Sequence, residues 1–241
     1  MVVLPSLTTT DRAACDRFLE AMGPAGISRI AFFATAVPAA DRKAIYSRLE
    51  AVPGLQIPHV HVRTDFDQGE LEYCRDRFAT VRFNVHPAAS THPYPALASM
   101  PAQLRSLFYL ENVEVCPEEE ELDACGGFCA DYAHAESARH RGDDAYYRRF
   151  LKLLDYSPPG CCHVSAVRVG SHNRYNGGPD QHRLSALSDL DYLERYKGRL
   201  PRQWVSLELE NDLDEQLACR EYLYGILGPV PTAAGSGGVA G

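Results

Sequence analysis

The sequence has no run of about 18 apolar residues, and that absence alone excludes a membrane-spanning helix. Its opening, "MVVLPSLTTTDRAAC", lacks the basic start and long apolar stretch of a secretory signal. Eight cysteines are scattered along the chain, two of them adjacent at Cys161-Cys162, and none forms a CxxC pair. Cys125 and Cys129 stand too isolated for a zinc knuckle, and the spacing is not that of a small disulfide-stapled secreted domain. The cysteines therefore read as reduced, small, buried side chains, and the protein as cytoplasmic. No Gly-rich strand-to-helix turn of the dinucleotide or phosphate-loop kind occurs, and no nucleophile elbow. A formal net charge of −8 argues against non-specific adhesion to nucleic acid or to an anionic membrane.

What remains is ordinary globular material of 241 residues, 45% apolar and 23% charged, enough for one large domain. Two textures alternate along it. Runs rich in β-branched and aromatic residues predict strands at 2–5, 28–35, 55–62, 80–87, 106–114, 128–135, 161–169 and 203–210. Helix-like segments lie between them at 10–22, 39–52, 68–79, 94–105, 117–127, 144–156, 187–198 and 212–227, punctuated by Pro53-Gly54, Pro158-Pro159-Gly160 and Gly198. Strict βα alternation implies a parallel sheet, and eight units is the number that closes an α/β (β/α)8 TIM barrel. The expectation is a single barrel domain over 1–231, followed by a flexible tail, "TAAGSGGVAG", at 232–241.

In such barrels the reacting groups sit where the strands end at the carboxyl face. Here the third strand ends near His59 and His61, the fourth at His86, the fifth at Glu111, and the sixth at Asp131 with His134 one turn on. His163 lies in the seventh strand, Asp180 and His182 in the loop after it, and Glu208 and Glu210 close the eighth. A single strand histidine is commonly a hydrogen-bonded structural residue, and a loop "DQH" is commonly solvated. Six consecutive strands delivering His, Asp or Glu to one rim, with no Lys among them, is a different matter. Acids and imidazoles without cationic partners repel or desolvate one another, and a divalent metal is the natural counter-charge. His59 and His61 both remain candidates at this stage, as do Glu208 and Glu210.

On these residues the sequence resembles the xylose isomerase-like barrels, which include sugar isomerases and epimerases and endonuclease IV. The likeness spans roughly residues 55 to 215: "FCADYAHA" looks like the family's Asp-x-x-His strand end, "YLEN" like its Glu-Asn end, and "NVHP" is similar to the His-Pro of the endonucleases. For a single-metal sugar isomerase the resemblance implies Glu111, Asp131, His163 and Glu208 as ligands. For an endonuclease IV-like enzyme it implies these four plus a third-strand His (His59 or His61), His86, His134, Asp180 and His182, around three divalent ions. Zinc is the expected metal, with manganese, iron or cobalt as alternatives. The implied catalytic groups are Glu111, Glu208 and His134.

The endonuclease branch implies phosphoester hydrolysis at a metal cluster. The isomerase branch implies proton exchange by Glu111 and Glu208 beside a polarised carbonyl. DNA-repair members press an aromatic and basic residues into the duplex, but the loop after the third strand here, "RTDFDQGE", offers Arg63 and Phe66 in place of the expected Tyr. Arg168, His172, Asn173 and Arg174 form the best basic, hydrogen-bonding patch at the rim for a phosphate. The expected partner is a small-molecule or phosphoester substrate, with abasic DNA less well supported.

Overall fold

A computed structural model describes residues 1–8, 12–35, 37–174 and 176–228, so the tail expected at 232–241 lies outside the described residues. In chain order the elements begin β1 (Val2–Leu4), β2 (Ser6–Thr8), α1 (Arg12–Met22), β3 (Arg29–Phe33), α2 (Ala39–Glu50), β4 (Gln56–His61) and α3 (Gln68–Phe78). They continue β5 (Arg82–Val85), α4 (Ala102–Arg105), β6 (Phe108–Glu111), α5 (Glu119–Asp123), β7 (Gly127–Asp131), α6 (Tyr132–His140) and α7 (Asp144–Tyr156). The chain then runs β8 (Cys161–Val164), β9 (Ala166–Val167), β10 (Asp180–Gln181), a 3-10 helix (Leu187–Arg199), β11 (Trp204–Leu207) and α8 (Leu213–Leu227). Among the described residues no helix is long and apolar enough to cross a membrane.

One parallel sheet orders its strands β1-β11-β8-β7-β6-β5-β4-β3-β2. Its two edge strands, β1 and β2, are consecutive pieces of one strand interrupted at Pro5. β1 pairs with β11 and β2 with β3, while the Pro5 carbonyl accepts from Ala31 N at 2.9 Å, so the sheet meets itself. The architecture is thus the expected single-domain α/β barrel. Proline cannot donate to a ladder, which is why the seam falls there. Gln216 of α8 staples this seam: its Oε1 accepts from Ser6 N at 2.7 Å and its Nε2 donates to the Ser6, Leu209 and Asn211 carbonyls.

Alternation along the strands separates two cores. Ile30, Phe32, Val60, Phe83, Phe108 and Phe128 belong to the large apolar cluster that the helices cover. Among the described residues, the inside of the barrel holds two small apolar clusters, Leu4 with Ala31 and Phe33, and Tyr109 with Cys129 and Cys161. The rest of the interior is polar. Tyr109 fits at the floor because Gly160 leaves room: a Cβ there would lie 2.1 Å from its ring.

Four sequence expectations need correcting in detail. The strand expected over 128–135 stops at Asp131, and helix α6 follows at once. Its buried residues are Tyr132, Ala133, Ala135, Glu136, Ser137 and Ala138, and after Tyr132 they are too small and polar to give an apolar helical period. The run 161–169 leaves the barrel after Val164, and Ala166–Val167 pairs antiparallel with Asp180–Gln181. Pro101 breaks the helix expected over 94–105 into a 3-10 turn (Leu97–Ser99) and a single α-helical turn. The helix expected over 117–127 is confined to Glu119–Asp123.

Replacing Gln216 by Leu strands the Ser6 amide and three carbonyls in a buried seam. A loss of about 2–4 kcal/mol is expected in denaturant unfolding, since each unsatisfied buried group costs about 1–3 kcal/mol and the groups share some relaxation. An unchanged midpoint would contradict the staple.

Candidate metal centre

The polar interior reaches its highest density at the carboxyl ends of the strands. His61, Glu111, Asp131, His163 and Glu208 come from β4, β6, β7, β8 and the residue just after β11, and all are buried. The Glu111 carboxylate oxygen Oε2 lies 2.9 Å from His61 Nε2 and 3.0 Å from His163 Nε2. On the other side of the His163 ring, Nδ1 is 2.9 Å from Glu208 Oε2 and 3.3 Å from Asp131 Oδ2. Asn84, two residues before His86 on β5, donates to Glu111 Oε2 at 2.7 Å and fixes its orientation.

Asp131 explains why a buried strand runs straight into Asp-x-x-His. One oxygen, Oδ1, caps α6 by accepting from His134 N at 2.7 Å, while Oδ2 faces the imidazoles. His134 is the third residue of the capped helix, so the same hydrogen bond that starts α6 sets its ring at the rim. His134 Nε2 is 3.5 Å from Asp131 Oδ2, and Nδ1 is 3.3 Å from Asp180 Oδ2. Asn112 brackets the Asp131 backbone, donating to its carbonyl and accepting from its amide, both at 2.8 Å. Asp180 is held by Ser137 Oγ and by the Asn173 and Asn176 side chains.

Burial works against every charge here, and the outcome records which neighbours win. For Glu111, burial favours the neutral acid, but His163 and His61 hold its carboxyl well below the usual range. Glu208 is likewise depressed against burial by His163 and His182, and Asp180 by His134 and Ser137. Burial would lower His163, yet Glu111, Glu208 and Asp131 raise it well above an ordinary imidazole. His134 rises to about 10 against burial because Asp131 and Asp180 flank it. His86 has burial as its dominant influence and falls to about 4, so its ring is neutral.

The arrangement fits a cation better than it fits itself. His163 Nδ1 has two carboxylate oxygens within 3.3 Å, but neither is aligned as a hydrogen-bond acceptor. Nδ1 of His61 and of His86 are also buried without a hydrogen-bond partner. Three overlapping groups bring potential ligand atoms within 4.8 Å of one another: His61, Glu111 and His163; Glu111, Asp131 and His134; Asp131, His163 and Glu208. Imidazole and carboxylate donors in this number suit zinc and its transition-metal neighbours.

Of the ten residues expected at the metal, nine gather on this rim. His86 stands beside His61, ring centroids 5.2 Å apart, and His182 Nε2 is 3.8 Å from Glu208. His59 is the exception. It faces the barrel interior a tier lower, its Nδ1 hydrogen-bonded to Ser206 Oγ at 2.8 Å and its ring edge-on to Phe33. Of the two pairs left open by the sequence, His61 and Glu208 face the cluster, while Glu210 lines the cleft above.

That cleft has a volume of about 910 Å³, and among its lining residues are Arg63, His172, Asn173, Arg174 and Arg183. Arg168 turns aside to Ser185 Oγ and is not part of the lining. Phe66, the aromatic in the loop after β4, is buried under the Arg42 guanidinium at 4.0 Å from its ring centroid. Sequence reasoning missed Asn84 as the support of Glu111. Its i−2 spacing from His86 was the available signal, since it places both side chains on the inner face.

No family model and no curated protein sequence matches the chain. In structure it is similar to a xylose isomerase domain protein and to endonuclease IV. The first, from Alicyclobacillus acidocaldarius, gives a TM-score of 0.47 at 14% identity over 94% of this chain and 97% of that one. Endonuclease IV from Thermus thermophilus gives 0.41 at 17% identity, covering 93% and 99%. A dipeptide epimerase from Methylococcus capsulatus, complexed with Mg ion, gives 0.48 at 11% identity over 88% of this chain, which spans only 58% of the epimerase's length.

The His134 ion pairs give a pH signature in protein stripped of metal. A raised imidazole stabilises the fold fully below its ordinary value of 6.5, and that contribution is lost as pH climbs through about 10. Chelator-treated protein is expected to lose thermal stability steadily across that window. The His134→Gln variant should flatten the slope, and identical slopes for the two proteins would refute the pairing.

Proposed function

We propose that the chain is a metal-dependent enzyme of the xylose isomerase-like kind that hydrolyses a phosphoester at a cluster of up to three divalent ions. The observation that carries this reading is the position of Glu111, whose one carboxylate oxygen stands about equally close to His61 and His163 and so joins two groups of donors. His61 and His86 would share Glu111 at one ion. Asp131, His163 and Glu208 would complete a second, and His134, Asp180 and His182 would hold a third. Zinc is the favoured metal, since imidazole and carboxylate donors are mixed in each group.

Divalent metals bound there would supply Lewis acidity and lower the pKa of water toward neutrality. The chain's own contribution is orientation and exclusion. Asn84 keeps the Glu111 oxygen between the two imidazoles, and Asn112 with the α6 cap fixes Asp131. The neutral ring of His86 has a lone pair to give. Arg63, steered by Asp65 at 3.2 Å, stands with Arg174 and Arg183 around the cleft as counter-charges for a substrate phosphate. A cleft of this size suits a small phosphoester, and the buried Phe66 offers no wedge for opening a duplex. Abasic DNA is accordingly the less favoured substrate.

One observation favours a second reading, a single-metal sugar isomerase or epimerase. Glu111, Asp131 and Glu208 make a quartet with His163, each within 3.3 Å of its ring nitrogens, whereas the His182 side chain is 37% exposed and stands off at 3.8 Å. In that case Glu111 and Glu208, on opposite sides of His163, would exchange the proton at the substrate carbon.

Counting chelator-exchangeable ions separates the readings. Close to three per chain supports the cluster, one supports the isomerase, and none after reconstitution removes both. Asp180→Ala and His182→Ala are expected to abolish cleavage of small phosphoesters if the third ion is used. Near-normal turnover in both would leave only the quartet. Asn84→Ala, which removes the support of a ligand and not a ligand itself, should reduce metal affinity or turnover about 10- to 100-fold.

A further inference from the structure

Beneath the rim lies a second group of potential ligands that the proposed phosphoester site does not use. His59, Cys129 and Cys161 face the barrel interior from β4, β7 and β8, and each is wholly buried. Their donor atoms lie within 4.8 Å of one another. Cys129 and Cys161 are direct partners in the β7–β8 register. None of the rim's close acid–imidazole pairs includes His59, and the Phe33 ring stands edge-on to it at 5.2 Å while also packing on His163 at 5.5 Å. An aromatic side chain therefore stands against both tiers.

We propose that these three side chains bind one thiophilic d10 cation, zinc or copper(I), in a structural site separate from the rim. The orphaned nitrogen of His59 points to it. Nδ1 is fixed by Ser206 Oγ at 2.8 Å, while Nε2 is sealed from water and has no hydrogen-bond partner. That division of labour, one ring nitrogen anchored and the other left open, is how metal-binding histidines are usually oriented. Two thiols and an imidazole form a soft donor set, which selects zinc or copper(I) over magnesium, calcium or manganese. Binding replaces two S–H bonds by two metal–sulfur bonds and releases two protons to solvent. With zinc, the two thiolates cancel the ion's charge, as a dry interior requires.

The placement also gives the site a purpose. Side chains two apart on a strand share a face, and each of these three residues precedes a rim residue by two: His59 and His61, Cys129 and Asp131, Cys161 and His163. A cation here ties β4, β7 and β8 together directly below the rim groups that the same strands carry.

The test uses sulfur as its label, since the rim donors contain none. The full-length protein is refolded with cobalt(II) and then treated with chelator to empty the rim, which opens to the cleft. One chelator-resistant cobalt per chain with a thiolate-to-cobalt charge-transfer band in the near ultraviolet is expected. Elemental analysis of the protein as purified then distinguishes zinc from copper in that resistant fraction. Cys129→Ser and Cys161→Ser should each abolish the band, while Asp180→Ala should leave it in place. Absence of both the resistant ion and the band in the wild-type protein overturns the proposal without any variant, as does a band that survives in the Cys129→Ser/Cys161→Ser double variant. Absence of any chelator-exchangeable ion beside the resistant one would count against the rim reading and leave this one standing.

Discussion

The constraint on which the rest depends is the cost of placing acids and imidazoles inside a barrel. Glu111, Asp131, His163, Asp180 and Glu208 are all withdrawn from water, and a lone buried charge is strongly disfavoured. They persist because each is faced by its opposite: His163 has carboxylates at both ring nitrogens, and Glu111 has imidazoles on two sides. Removing any one member strands another. The pKa directions follow from the same fact, since Glu111, Asp180 and Glu208 are depressed and His163 is raised against the burial that acts on each.

Such an interior needs a rigid container. The outward faces of the strands supply it, with Phe32, Phe83, Phe108 and Phe128 packed under the helices. The seam at Pro5 is the weak line of the cylinder, and α8, the last helix described, closes it through Gln216. The strand at Ser6 and the last described helix thus meet at the seam. Two strands from the seam, the break after Val164 frees a hairpin that carries Asp180 back to α6, where Ser137 holds it.

Much of this was legible in the sequence because strand alternation is a strong signal. Val60 between His59 and His61, and Val85 between Asn84 and His86, announce which side chains turn inward. Alternation does not give depth, however, and so it left His59 and His61 equivalent until the register set one a tier below the other. Helix α6 was hidden for a different reason. Beyond Tyr132 at its start, its buried residues are alanines, a serine and a glutamate, which carry no apolar period. The cleft's arginines were partly misjudged as well: Arg168 is spent on Ser185, whereas Arg183, adjacent to His182, lines the opening. Loop side chains point where tertiary contacts send them, and no periodicity records that.

The two oxygens of Asp131 have a consequence for how the molecule tolerates change. One begins a helix and the other confronts the imidazoles, so a single carboxylate serves architecture and chemistry together. Asparagine would preserve the first duty and forfeit the charge; glutamate would keep the charge but overshoot the turn. Neither duty can drift alone, and aspartate is the side chain whose length and ionisation satisfy both.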